Sequence, residues 1–295
     1  VAHGVAASFN QALRQVMTEF VYTTSFGQIM APGCLESLIG VARPGLLAMG
    51  RVYTILPDSR IDEFPTPRIV SAEDTLRDIP VLQQARRQWK LGRNGNTLIH
   101  VPSHERLGGF DERFGEIGYG LEDTEYAARW LDEFGWDSLA FVPAGSWHFG
   151  DTPKEKRQRW KKIPKPESFH LLIRTLTRLY GERYNLFTSL QGNVVYANHV
   201  NIDHGRNDAK YADAIADCIA PEWLDDGSAL EIRTCLPTSF VPAKDARVHL
   251  EVLRRKLHPD GTLVVSGGIS DKALAEFAGE IDMDADGREL TKETA

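Results

Sequence analysis

Leu107-Gly108-Gly109-Phe110-Asp111-Glu112-Arg113-Phe114, followed by Gly118-Tyr119-Gly120-Leu121-Glu122-Asp123-Thr124-Glu125 and then by Trp147-His148, is the most informative part of this chain. Tyr126, Ala127, Trp130, Leu131 and Phe134 recur at helical spacing, so a helix is expected over 122–134 with Gly135 as its stop. Glu122 and Asp123 then stand in its first turn, where the helix dipole favours ionised carboxylates. Such acids are ordinary caps. They also suit chemistry, because a carboxylate approached through glycines can take a proton from a hydroxyl.

Outward from that stretch the chain alternates helical and strand-like segments. Residues 6–16 read as a helix with Phe9, Leu13 and Val16 on one side, and 20–24 as a short β-branched strand. Pro32 opens a helix carrying Leu35, Leu38 and Ile39. Strands are expected over 50–56, 96–101 and 138–142, with a proline-rich surface loop over 57–80. The basic, proline-flanked run 153–167 marks a domain boundary. Its segment 154–162 reads as a solvated helix face, or as a patch for an anionic substrate or peripheral membrane contact. A second α/β pattern follows: a helix over 169–180, strands over 194–196 and 200–203, a helix over 245–257, a turn at Pro259-Asp260-Gly261 and a strand over 262–265. The expected division is therefore 1–152, a linker 153–167, a second domain 168–281 and a polar, frayed tail 282–295.

Bulk properties narrow the function. The 295 residues are 42% apolar and 25% charged, enough for packed cores, and the net charge of −7 argues against general attraction to nucleic acid. Cys34, Cys218 and Cys235 are scattered without CxxC spacing, so neither a disulfide framework nor a structural zinc site is expected, and a reducing, cytoplasmic setting is. No apolar run approaches the roughly 20 residues of a transmembrane helix, and no secretory signal is visible. The chain opens on Val1 rather than methionine, which suits a fragment or a processed product.

The first 151 residues resemble the GT-A glycosyltransferases, of the family 2 and galactosyltransferase C-terminal type, whose pattern GGFDExF…GxGxED is matched by Gly108 to Phe114 and Gly118 to Asp123. Ser8-Phe9-Asn10-Gln11-Ala12-Leu13 is similar to the helix before that family's metal-binding strand, and Asn94-Gly95-Asn96 to its asparagine-bearing turn. The resemblance implies an inverting transfer of a sugar from a nucleotide-sugar donor to a glycan or lipid-linked acceptor. It implies Asp123 as the base, and Glu122, Tyr119, Gly118, Gly120, Asn96 and Gly109 around the acceptor. It also implies a Mn2+ or Mg2+ ion, with His148 as a ligand.

Two features depart from the family. Its Asp-x-Asp falls on Ser25 and Gly27, which supply no carboxylate, and only about 20 residues stand where its donor-binding βα units belong. The expected fold is thus a partial, Rossmann-like GT-A domain, and a non-catalytic carbohydrate-binding or scaffolding module is the alternative function.

The second half is similar to class I S-adenosylmethionine-dependent methyltransferases. Asp203 matches a strand-end acid that holds the cofactor ribose, and Arg254 to Thr262 matches their helix-to-strand junction. Asn185 to Gly192 fills the place of the cofactor loop without a G-x-G. A smaller Rossmann-like, methyltransferase-type domain is expected, with S-adenosylmethionine binding unlikely; methyl transfer is the second alternative.

Overall fold

The computed structural model describes residues 4–55, 87–92, 95–117, 120–149, 166–187, 196–204, 212–235, 243–266, 281–283 and 289–292. The chain divides into two compact units, Val1–Ser168 and Phe169–Ala295, both α/β.

Unit 1 runs α1 (Val5–Leu13), β1 (Phe20–Thr23), β2 (Gln28–Met30), α2 (Cys34–Ile39), β3 (Leu47–Ile55), a 3-10 turn (Gln88–Leu91), β4 (Thr97–His100), α3 (Val101–Leu107), α4 (Arg113–Ile117), α5 (Glu122–Phe134) and β5 (Leu139–Phe149). The sheet order is β1-β4-β3-β5-β2. β3 and β5 are parallel; the β1–β4, β3–β4 and β2–β5 pairs are antiparallel.

Strand alternation puts helices on both faces. Leu47, Met49 and Ile99 pack with Ala6 and Leu13 of α1 and with Tyr126 and Trp130 of α5. Ala48, Leu98, Val142 and Ala144 pack with Cys34 and Leu38 of α2. Trp130 is fully buried and its indole N–H donates to Gly45 O at 2.9 Å, so its large apolar surface enters the core with no polar atom stranded. Truncating such a side chain typically costs about 3–5 kcal/mol.

Several expected boundaries move. β3 begins at Leu47 rather than Gly50. Gly50 is internal to the strand, because a Cβ there would collide with Ala144 O and the Asn96 side chain. Val101, expected in a strand, opens helix α3, whose first turn is capped when Ser103 N–H donates to His100 Nδ1 at 3.3 Å. β5 continues well past Val142, so His148 lies on the strand itself.

Unit 2 runs α6 (Pro166–Tyr180), β6 (Arg183–Phe187), β7 (Val200–Asp203), β8 (Ala214–Ile215), β9 (Ala229–Cys235), α7 (Ala243–Lys256), β10 (Leu257–Ser266), β11 (Ile281–Met283) and β12 (Glu289–Lys292). Its sheet order is β11-β12-β10-β9-β6-β7-β8. The pairs from β10 across to β8 are parallel, and β12 is antiparallel to both β10 and β11. Strand order reverses between β6 and β9, a topological switch point compatible with a Rossmann-like sheet.

Helices α6 and α7 reach one face of this sheet, where Thr177 meets the Tyr184 hydroxyl at 3.1 Å and His249 lies 3.5 Å from Thr234 Oγ1. The register places Arg183, Asn185, Asn201, Glu231 and Arg233 on the opposite face. Inner parallel strands normally read as continuous apolar runs; these alternate, and an ionic network accounts for it. Glu231 accepts from Arg233 at 2.5 Å and lies 3.1 Å from His199, while Arg233 sits 4.6 Å from the centre of the Tyr196 ring.

Three expectations are corrected here. Pro166 and Glu167, assigned to the linker, open α6; residues 153–165 lie outside the described residues. The turn at Pro259-Asp260-Gly261 is a register shift inside β10, between Leu257 and Thr262. The tail 282–295 is not wholly frayed: Asp282 and Met283 belong to β11, and 289–292 form β12. That pairing is made by β12 with β11 and with β10, which the local polarity of a charged tail does not disclose.

Candidate functional site at one end of the first sheet

The antiparallel registers bring distant pieces of sequence to one end of unit 1. Thr23 pairs with Thr97, so the turn after β1 lies beside the residues that lead into β4. Gln28 pairs with His148, so that same turn meets the end of β5. Phe149 N–H donates to Gly27 O at 3.2 Å. A Cβ on Gly95 would lie 2.6 Å from Gln28 Oε1 and 2.7 Å from Ser25 Oγ, so the turn before β4 needs its glycine to seat against the Ser25–Gln28 turn.

The start of α5 is packed by the 3-10 turn that precedes β4. A Cβ on Gly92 would lie 2.5 Å from the Asp123 carbonyl oxygen and 2.7 Å from Ala127 Cβ. The 3-10 turn, anchored by buried Trp89, therefore packs directly on the helix turn that carries the carboxylates. Gly120 (φ +102°) and Leu121 (φ +76°) lead into that turn. Leu121 is a non-glycine residue in the left-handed region, a strained conformation that tends to collect at functional sites.

Glu122 is buried and Asp123 is half-buried. Asp123 Oδ1 accepts from Thr124 N–H at 2.8 Å and from the Thr124 hydroxyl at 3.3 Å. Gly118 and Tyr119 lie outside the described residues.

Two of the expected contact residues, Asn96 and Gly109, are buried in the packing of unit 1. Asn96 is fully buried at φ +58°, and its Nδ2 donates to Arg51 O and Ala144 O, each at 3.0 Å. Its Oδ1 accepts from Tyr22 at 3.2 Å and Cys34 at 3.1 Å. Burial pushes the Tyr22 phenol up to about 12 and the Cys34 thiol up to about 11, so both remain protonated donors. With its amide engaged on both sides, Asn96 knits β3, β5 and α2 together. Gly109 is buried at φ +76°, where a Cβ would meet Asn10 Oδ1 at 2.6 Å.

Among the described residues, the donor set at this end does not fit a divalent cation. Ser25 and Gly27 contribute no carboxylate, and His148 is a single imidazole opposite Gln28. Among the described residues no three His, Cys, Asp or Glu side chains gather as a metal site. Hard cations want several oxygens.

Two residues with evident influence on the site carry no role in the sequence reading. Asn10 of α1 reaches across to the 108–112 loop, and Arg129 of α5 holds the same loop from the other side. For Asn10 a signal existed: with Ala6 and Leu13 it lies on the buried stripe of α1, and a polar residue there must be hydrogen-bonded.

A cleft of about 520 Å³ lies at the opposite end of the unit 1 sheet, lined by Arg43, His100, Ser103, Arg106, Phe134 and Asp137 among others. It is separate from the carboxylate turn. In unit 2, Asp203 is fully buried at the end of β7, and its carbonyl accepts from Ala216 N–H at 3.1 Å. Residues 188–195, which include the second half of the expected cofactor loop, lie outside the described residues. Among the described residues no helix is long and apolar enough to cross a membrane.

No protein-family model matches this chain, and no curated protein matches it. Among solved structures it is similar, at 17% identity, to a crystal structure of the antibiotic-resistance methyltransferase Kmr, with a TM-score of 0.26 over 43% of this chain and 93% of that one. A second crystal structure of the antibiotic-resistance methyltransferase Kmr gives a TM-score of 0.24 over 39% and 90%, also at 17% identity. Likeness at this level carries neither fold nor chemistry across to this chain.

Proposed function

We propose that unit 1 is the acceptor side of an inverting, GT-A-type glycosyltransferase. The observation that carries it is the meeting of the Ser25–Gln28 turn with His148 at one sheet end, with the Glu122–Asp123 turn packed against the 3-10 turn that precedes β4. These pieces are far apart in sequence; the resemblance implies roles for Glu122, Asp123 and His148 and puts the family's missing Asp-x-Asp at Ser25 and Gly27.

In this reading Asp123 takes the proton of an acceptor hydroxyl as its oxygen attacks the anomeric carbon. The new glycosidic bond forms on the face opposite the breaking bond, and the nucleoside diphosphate leaves with the bonding electrons. Glu122, one residue earlier on the helix, orients the acceptor. A positioned general base contributes typically 10²- to 10⁴-fold. With Ser25 and Gly27 at the metal-binding positions, the donor side is the weak half of the site.

The test is a transfer assay on the full chain, with a panel of UDP- and GDP-sugars, oligosaccharide and lipid-linked acceptors, and products weighed by mass spectrometry. Transfer that is lost in Asp123→Asn supports the proposal. Saccharide binding with no transfer from any donor favours the non-catalytic carbohydrate-binding module.

A second reading rests on unit 2. Its parallel core, with a switch point between β6 and β9 and the antiparallel β12 beside β10, fits a methyltransferase-like fold. Calorimetric titration with S-adenosylmethionine tests it, and saturable binding lost in Asp203→Asn would favour it.

A further inference from the structure

The loop 107–112 is held from two sides by side chains whose bonding is mutually complementary. Asn10 Oδ1 accepts from Phe110 N–H at 2.8 Å and its Nδ2 donates to Phe110 O at 2.8 Å. The side-chain amide thus pairs with one residue's backbone as a neighbouring strand would. The same Nδ2 donates to Glu112 Oε1 at 2.9 Å. From the other side, Arg129 Nη1 donates to Leu107 O at 3.1 Å and Nη2 to Gly109 O at 2.9 Å.

The guanidinium's remaining edge is what gives the arrangement reach. Arg129 Nε donates to Glu125 Oε1 at 2.6 Å, and Glu125 is buried in the first turn of α5. Glu125 N–H in turn donates to Leu121 O at 2.8 Å. One rigid fork therefore ties the loop to the turn that presents Glu122 and Asp123. Lysine cannot reproduce this, since its ammonium has no planar set of donors.

Packing closes the clamp. Phe110 stacks on Tyr126 with ring centres 4.0 Å apart, and the Cβ-free face of Gly109 admits Asn10. Asn10, Gly109, Phe110 and Glu125 are all buried, so these bonds form away from competing water.

From this geometry we infer that Asn10 and Arg129 are positioning residues that set the placement of the Glu122–Asp123 turn relative to the Gly109–Glu112 loop. The role in acceptor recognition rests on the proposed function; the mechanical coupling does not. Neither side chain is assigned contact with substrate.

The experiment is amide hydrogen exchange on the full chain, wild type against Asn10→Ala and Arg129→Lys, with a saccharide titration on the same samples. Arg129→Lys is expected to speed exchange at least tenfold in 107–112 and also in 120–125, with β3 and β4 unchanged. Asn10→Ala is expected to do so at Phe110 and its neighbours, and both are expected to weaken saccharide affinity about tenfold. Faster exchange confined to 107–112 in Arg129→Lys would overturn the coupling. So would an equal rise throughout unit 1, or loss of the fold in both variants, since the clamp would then be only a requirement for folding. A wild type that binds no saccharide would remove the acceptor reading, while the exchange pattern would still decide the coupling.

Discussion

Gly92 and Asp123 meet where Gly92 has no room for a side chain: a Cβ on Gly92 would stand 2.5 Å from the Asp123 carbonyl oxygen. Gly92 has φ −48° and ψ 134°, open to any residue, so the demand for glycine here is purely one of space. Gly92→Ala must push the 3-10 turn or the first turn of α5 aside. Such overpacking typically costs about 1–3 kcal/mol. Urea denaturation is expected to show a loss of that size, together with shifted resonances at 121–124. An unchanged midpoint would show that the turn does not bear on the helix.

Asn96 separates two contributions that are usually mixed. Asn96→Gly keeps access to its φ of +58° and removes the four side-chain hydrogen bonds. Each buried group left unsatisfied costs about 1–3 kcal/mol, so a loss of roughly 2–4 kcal/mol is expected in thermal or denaturant unfolding. Asn96→Ala adds strain in the left-handed region and should be worse by about 1 kcal/mol. If glycine were neutral here, the side chain would be free for a ligand and its structural role mistaken.

His104 gives unit 1 a dependence on pH. Burial lowers its imidazole from 6.5 to about 4, with the nearby Arg129 acting in the same direction, and it lies 2.8 Å from the Tyr126 hydroxyl. The neutral ring therefore belongs to the fold, while the unfolded chain takes up a proton first. Stability from this residue is present above about pH 6.5 and is lost as the pH falls toward 4. Its full extent is on the order of 3 kcal/mol. Denaturation of wild type and His104→Gln from pH 7 to pH 4 should show the two curves converging on the acid side. Parallel curves would contradict the burial of a neutral ring.

Helix α5 was legible because several local rules agree on it: helical spacing of large apolar residues, acids at the start, and Gly135 at the end. The convergence of Ser25, Gln28 and His148 was not, since antiparallel register is a relation between segments and no single segment encodes it. Asn96 looked like a site residue because asparagine in a glycine-flanked turn is equally suited to a ligand and to a left-handed, hydrogen-bonded corner. Only the neighbours Tyr22, Cys34, Arg51 and Ala144 decide between them. Asn10 could have been singled out from its place on the buried stripe of α1, though its partners lie 100 and 102 residues away. The strands at 281–283 and 289–292 exist through pairing with each other and with β10, which the polarity of that segment conceals.

Asp123→Asn is the variant in which fold and chemistry separate. The amide is nearly isosteric, keeps an oxygen for Thr124 N–H, and cannot accept a proton. Circular dichroism and the unfolding midpoint should stay close to wild type while any transfer falls 10²-fold or more. Retained turnover would remove Asp123 from the mechanism.

The central claim is that the sheet end bearing Gln28, His148 and Asp123 is where a saccharide sits. The most direct measurement is a titration of the isotope-labelled full chain with oligosaccharide acceptors, following backbone amide shifts. Saturable shifts centred on 24–28, 120–125 and 146–149, with Arg43 and Arg106 of the opposite cleft unmoved, are predicted. Shifts centred on that cleft or on unit 2, or none at millimolar saccharide, would contradict it.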